Sequence, residues 1–247
     1  MVYYKDLEAN QFVMPGSNYH MRMSAQQRLT SLFDGADYQP IEVPDVPVDP
    51  LKFRDERRYS ERLRDAREET EMKDAVLLGE GSLDTLPIVA AVQGHAVGVG
   101  TTMLFHCDLV YVAEHARLTT PFVDLGVVPE AASSLTMPAR LGHARAFAML
   151  GLGEPLLGRD AVAAGLANAA CPAAEVEPRA RAAAHALAKK PAQALKLTKG
   201  LMRDREALLA RMRHESELFA DRLQSPEAIE AFSAFIERRP PDFGKLG

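Results

Sequence analysis

The chain has 247 residues, a formal net charge of −5 and a pI near 5.8, which exclude the basic balance of a nucleic-acid binder or a cationic membrane-surface protein. Its 47% hydrophobic residues suffice for the core of one or two domains, and no apolar run reaches transmembrane length. Two cysteines, Cys107 and Cys171, rule out a disulfide framework, and with no basic-then-apolar leader the expectation is a soluble cytoplasmic protein in a reducing compartment.

In chain order, Val2–Lys5 predicts a short strand and Met14–Met23 a turn. Ser24 is placed to cap a helix over Ala25–Phe33, because its hydroxyl accepts an orphan N–H of the first turn, and Gly35 ends that helix. The proline-rich Ile41–Pro50 reads as extended linker. Leu51–Thr70 interleaves opposite charges at helical spacing and reads as a helix with a solvated face. Ala75–Leu78 and Ile88–Val92, with Gly79 and Gly81 between them, predict a β-hairpin.

The stretch from Leu86 to Gly126 organises the rest. Ile88–Val92 is an apolar run too short for a helix of its own, and it breaks into Gly94-His95-Ala96-Val97-Gly98-Val99-Gly100. Thr101–Phe105 then carries enough apolar weight to start a helix. Strand, glycine turn and helix start together make a place for negative charge, a phosphate or a developing oxyanion, since the first helical N–H groups lack partners. The spacing fits neither a P-loop nor a dinucleotide fingerprint.

Glu130 follows Pro129 as a first-turn glutamate, favourable to a helix dipole. Asp124 is a candidate second acid or a structural carboxylate, and Asp108 reads as a buried hydrogen-bonding group. His106 and Cys107 are adjacent and point apart, so neither a metal pair nor a Cys-His dyad follows. Ser133 and Ser134 lie outside any GxSxG elbow and help form a helix start. From Ser134 on the chain reads as helical. Leu135–Glu154 is interrupted by Pro138 and Gly151, and Gly158–Ala170 ends at the Cys171–Pro172 break. Helices over Pro178–Lys190 and Pro191–Gln224 follow, then one over Ser225–Phe243 with Ser225 as cap and Pro226 at the first position.

IVAAVQGHAVGVGTT, CDLVYVAEHARLTTPFVDLGVVPEAASS and LTMPARLGHARAFAMLGLGEPLLGRDAVAAGLAN resemble, in order and spacing, the crotonase (enoyl-CoA hydratase/isomerase) family from about Leu86 to the C-terminus. The resemblance implies an α/β fold with a crotonase-like ββα spiral core and a helical C-terminal tail. It implies a coenzyme A thioester as substrate, no further cofactor, no metal, and a homotrimer or hexamer. It places the backbone N–H of Val99 as the oxyanion donor, with Gly98 of the same turn beside the substrate; His95 in that turn either touches the substrate or packs. Thr102 and Phe122 stand where hydratases carry their two glutamates, whereas Glu130 matches the acid of the Δ3,Δ2-enoyl-CoA isomerase branch. There one carboxylate takes a proton from C2 and returns it to C4. Phe122 and Val123 are then expected to form an apolar wall, of the kind that raises a carboxyl pKa and keeps water out. Arg238 and Arg239, and the charged helix of Leu51–Thr70, are candidate contacts for the CoA phosphates. The resemblance also leaves hydratase-like activity, or a catalytically silent acyl-CoA-binding fusion, as alternatives.

The N-terminal stretches LEANQFVMPGSNYHMRMSAQQRLTSLFD and DPLKFRDERRYSERLRDAREETEMKDAVLLGEGSLDTLPIVAAV are similar to the N-terminal part of the acetyl-CoA carboxylase carboxyltransferase β-subunit. Met14 and Ser17 occupy the place of the second cysteine pair of that family's zinc ribbon, so no zinc site is assigned. The loop that supplies a crotonase with its first oxyanion N–H has no counterpart between Asp74 and Leu86. The expected division is a substituted segment over 1–73, a crotonase-like core over 74–190 and a helical oligomerisation tail over 191–247.

Overall fold

The computed structural model describes residues 2–17, 19, 21–33, 37–41, 48–49, 57–70, 72, 78–81 and 86–245. The chain divides into two compact units, Met1–Thr85 and Leu86–Gly247.

The first unit begins with helix α1 (Tyr4–Ala9) rather than the strand expected at Val2–Lys5. The carbonyl of Tyr3 accepts from the N–H groups of both Asp6 and Leu7, so a local helical turn takes up backbone groups that a strand would have left to a distant partner. Helix α2 (Ala25–Leu32) starts on Ser24 as the spacing predicts. Ser24 Oγ accepts from Gln27 N at 3.1 Å and Ser24 N donates to Gln27 Oε1 at 2.9 Å, a reciprocal cap. Strand β1 (Tyr38–Ile41) ends on the first residue of the stretch read as linker, whose residues 42–47 and 50 fall outside the described ones. Helix α3 (Tyr59–Thr70) has no buried residue and carries an Arg57–Asp65 ion pair at 2.5 Å, in keeping with a solvated face. Residues 75–77 of the expected hairpin lie outside the described ones; its Leu78 belongs to β2 (Leu78–Gly81), which pairs antiparallel with β1, Tyr38 opposite Gly81 and Ile41 opposite Leu78. A Cβ at Gly79 would lie 2.7 Å from the Tyr38 ring, so glycine is what lets that ring lie across the pair.

The second unit holds two three-stranded sheets. In chain order come β3 (Val89–Val92), β4 (His95–Val97), the four-residue helix α4 (Val99–Thr102), a 3-10 segment at Met103–His106, β5 (Leu109–Ala113) and β6 (Arg117–Thr119). Helices α5 (Ser133–Leu141) and α6 (His143–Leu152), β7 (Leu156–Leu157) and β8 (Ala169–Cys171) follow. Helices α7 (Ala173–Ala188), α8 (Ala192–Leu201), α9 (Arg205–Leu223) and α10 (Pro226–Glu237) complete it. One sheet is parallel in the order β3-β5-β8, with Val89 beside Leu109 and Ala113 beside Cys171. The other runs β4-β6-β7, parallel then antiparallel. In β5 the side chains alternate: Val110 and Val112 are fully buried while Leu109 and Tyr111 are half-buried on the other face. They meet Leu118, Met137, Met149, Leu166 and Val176 in one core, where each large apolar side chain stabilises by about 1.5–3 kcal/mol. No helix among the described residues is long and apolar enough to cross a membrane.

Several boundaries differ from the sequence reading. Helix α5 runs through Pro138, giving up one backbone bond, and ends at Gly142, whose φ of 79° a side chain would resist. Helix α6 likewise runs through Gly151 to Gly153. The stretch before Cys171 is not a helix: a 3-10 turn at Gly158–Asp160 leads through turns into β8, because its backbone completes the parallel sheet. A Cβ on Gly158 would lie 1.9 Å from the carbonyl oxygen of Ala113, so this chain passes directly against β5. The helix expected over Pro191–Gln224 is two, α8 and α9, with Asp204 accepting from Ala207 N at 2.9 Å to start the second. Helix α10 begins as predicted, Ser225 Oγ accepting from Ala228 N at 3.2 Å and Pro226 entering the first turn.

Candidate active site

Strand β4 ends at Gly98, whose backbone (φ 55°, ψ −122°) turns the chain abruptly into α4. Gly98 N donates to Thr119 O at 3.0 Å, and Gly98 O accepts from the N–H groups of Thr101 and Thr102. The N–H groups of Val99 and Gly100 have no backbone acceptor among the described residues, as the first turn of a helix requires. Thr101 and Thr102 are fully buried: Thr101 Oγ1 donates to Ala96 O at 2.8 Å and locks the turn onto β4. Thr102 Oγ1 donates to Glu130 Oε1 at 2.6 Å. The half-buried Glu130 carboxylate is thereby held one helical turn from Val99, since Thr102 Oγ1 also lies 3.4 Å from Val99 O.

Glu130 is not in the first turn of α5 but in the bend before it, its carbonyl accepting from Ser133 N. That bend is made by Ala131 (φ 57°) and Ala132 (φ 54°), two consecutive alanines in the left-handed region. Such residues cost of order 1–3 kcal/mol each, so the surroundings must hold them. Two elements do so. Glu215, 4% exposed on α9, accepts from Ala132 N at 2.6 Å and Ser134 N at 3.0 Å, and from the Ser134 hydroxyl. A carboxylate some eighty residues away thus caps α5 (|i−j| of 83 to Ala132). From the 3-10 segment, His106 Nε2 lies 2.6 Å from Ala131 O; a carbonyl only accepts, so Nε2 carries the proton.

Of the other candidates, His95 is exposed on β4. Phe122 packs with Val127 and Ala228 in a second cluster under α10, and Val123 is half-exposed. Gly126 makes that docking possible, because a Cβ there would lie 2.6 Å from Ala228 N. Asp124 is exposed, its carboxylate against the backbone of Gly153. Asp108 is a hydrogen-bonding group, accepting from Ile88 N at 2.7 Å and from Lys199 and Arg203 at 2.8 and 3.0 Å. Cys107 is buried, its thiol pushed up in pKa first by burial and then by the Asp108 charge. Ser134 helps form the helix start through Glu215, whereas buried Ser133 Oγ has no partner among the described residues. Arg239 is committed to Glu230 and Glu237. Among the described residues no three His, Cys, Asp or Glu side chains gather as a metal site.

Glu215 was not among the candidates from sequence. Its signal is positional: Leu208, Met212, Glu215 and Phe219 recur at three- and four-residue steps, so one carboxylate sits in the apolar stripe of α9.

A family model described as enoyl-CoA hydratase/isomerase matches residues 59–245. Among solved structures, OdaA of Pseudomonas aeruginosa is 48% identical with a TM-score of 0.61, over 62% of this chain and 64% of that one. An enoyl-CoA hydratase/isomerase from Pseudoalteromonas atlantica T6c is 34% identical with a TM-score of 0.63, over 80% of this chain and 75% of that one. The resemblance of the N-terminal residues is also matched: over 93 residues, 38% of the chain, it is 60% identical to the acetyl-coenzyme A carboxylase carboxyl transferase subunit beta of Rhodopseudomonas palustris (strain BisA53). It spans 29% of the length of that curated relative. A family match covering well over half the chain agrees with the glycine turn, short helix and facing carboxylate found here, and the chain belongs to the enoyl-CoA hydratase/isomerase family.

Proposed function

We propose that the protein is a Δ3,Δ2-enoyl-CoA isomerase. The observation that carries this reading is the Thr102–Glu130 hydrogen bond of 2.6 Å, beside the unpartnered N–H of Val99. A double-bond shift needs one group that removes a proton from C2 and returns it to C4, and a donor for the thioester oxygen while the dienolate exists. Glu130 performs the first role and Val99 N–H the second, Gly98 giving the turn that exposes it. Hydration needs a second group to hold water, and Thr102, where hydratases carry a carboxylate, is occupied by its bond to Glu130. The reaction uses the coenzyme A thioester itself and no further cofactor. The source of the other oxyanion N–H is left open, since the sequence between Asp74 and Leu86 has no counterpart of the loop that supplies it in crotonases.

Ile229, Phe232, Phe235 and Ile236 are exposed on α10, and this apolar face supports assembly as a trimer or hexamer. Free Cys107 and Cys171 fit a cytoplasmic setting.

The test follows conversion of a 3-enoyl-CoA to the conjugated 2-enoyl thioester by absorbance, with Glu130→Gln in parallel. Turnover that falls at least about a thousandfold in Glu130→Gln supports the isomerase. Absence of turnover with CoA-ester binding retained would instead identify a silent acyl-CoA-binding fusion.

A further inference from the structure

We propose that a second site, a cavity of about 550 Å3 beside Arg140, Lys199 and Arg203, binds a straight-chain monocarboxylate of medium length. Its lining includes Pro87, Asp108 and Leu109, so it lies at the N-terminal ends of β3 and β5. Val99, Thr102 and Glu130 are not in its lining.

Charge is the first argument. Both oxygens of Asp108 are taken: Lys199 Nζ lies 2.8 Å and Arg203 3.0 Å away, and Ile88 N donates at 2.7 Å. Asp204, the other carboxylate of the lining, is occupied at the start of α9 by Ala207 N. Among the described residues, half-buried Arg140 bonds only carbonyls, those of Leu104, Phe105 and Leu166 at 3.3, 3.4 and 3.5 Å. Among the described lining residues three cations thus face two carboxylates, and Arg140 is the one with no carboxylate in bonding distance. A cation removed from water without a counter-ion is costly, so an entering anion gains what water no longer provides. Burial, and then the charge of Arg203, hold the Arg140 guanidinium below its usual pKa, the Asp108 charge offsetting only part of this.

Shape is the second argument. Phe105, Leu109, Leu135, Leu187, Leu195 and Leu208 supply an apolar wall, and the volume falls within the roughly 300–1,000 Å3 of small-molecule sites. Met202 lines the cavity yet is 80% exposed, which marks its mouth. An apolar wall with one surplus positive charge selects one negative charge on an apolar chain; a dianionic phosphate would overcharge it. The planar guanidinium forks match a carboxylate.

The test is calorimetric titration of the full chain with decanoate and, separately, 1-decanol, in wild type, Arg140→Gln, Leu195→Trp and Glu130→Gln, each checked for folding by circular dichroism. The expected result is one decanoate per chain with Kd below about 1 mM, and decanol weaker by about tenfold or more. Decanoate binding should weaken by about tenfold in Arg140→Gln, disappear in Leu195→Trp, which fills the cavity from α8, and persist in Glu130→Gln. Leu195→Trp decides the matter should Arg140→Gln fail to fold. Equal affinity for decanol, undiminished binding in folded Leu195→Trp, a changed affinity in Glu130→Gln, or no binding at all would overturn the proposal. Tighter binding in Glu130→Gln, where a carboxylate ligand would be relieved of a like charge, would place it at the isomerase site instead, so the two readings fail separately.

Discussion

Thr102 donates its hydroxyl proton to Glu130 across 2.6 Å, from a fully buried position to a half-buried carboxylate. A hydrogen bond to a charged group contributes about 1.5–3 kcal/mol, and here it also fixes which carboxylate oxygen faces α4. Thr102→Val keeps shape and removes the bond. Its kcat is expected to fall by about 10- to 100-fold with KM changed little, and Thr102→Ser to restore most of it. A Thr102→Val enzyme with unchanged kcat would show that the pair does not position the base.

Glu215 offers a prediction that separates folding from chemistry. Replacing it with leucine leaves Ala132 N and Ser134 N without acceptors inside the fold. The expected loss is about 2–4 kcal/mol in urea unfolding, with Glu215→Gln intermediate because one oxygen still accepts. Activity in the folded fraction should fall as well, since the bend that carries Glu130 loses one of its two holds. Equal stability of leucine and glutamine variants would remove the capping role.

Gly126→Ala tests how α10 docks. The added Cβ would lie 2.6 Å from Ala228 N, at a φ of 70° that disfavours a side chain. About 2–4 kcal/mol of destabilisation is expected, with limited proteolysis cutting first near α10. Cleavage elsewhere in the chain before α10 would show that the contact does not hold this helix.

Acid should release the end of the chain before the core. Arg239, and then the N–H of Asp242, hold the Glu230 carboxyl down at about 2 against an ordinary 4.5. A folded-state pKa below the unfolded one gives a contribution present above about 4.5 and lost as pH falls through about 2. Hydrogen exchange at the Asp242 amide should therefore accelerate, relative to amides of α6, between these values. Parallel behaviour of the two across that window would contradict the assignment.

What could be read from sequence was what rests on neighbours in the chain. The run Ile88–Val92, the glycines after it and the Ser24, Ser225 and Pro226 caps are local signals, and all appear where expected. The pairing of β2 with β1 was not legible, because Leu78–Gly81 has several possible partners and only tertiary contact with Tyr38 selects one. Pro138 and Gly151 looked like breaks, yet packing of Met137, Leu141 and Met149 into the core outweighs one lost bond and one unfavourable glycine. Phe122 could be aligned with a family position but not aimed, since its direction depends on Ala228 arriving from α10. Resemblance supplied Glu130; the means by which it is held came from α9, out of reach of any local pattern.

The left-handed alanines at 131 and 132 make aim a late product of folding. Short-range turns alone do not favour that bend, and its anchors are Glu215 of α9 and His106 of the 3-10 segment, on opposite sides in the chain order. A polypeptide emerging during synthesis can complete both sheets of the second unit through β8 while α9 is still unmade, and in that interval Ala132 N and Ser134 N lack their Glu215 acceptor. With Glu130 as the proposed base, the bend that aims it is therefore complete only once α9, near the end of the chain, has arrived.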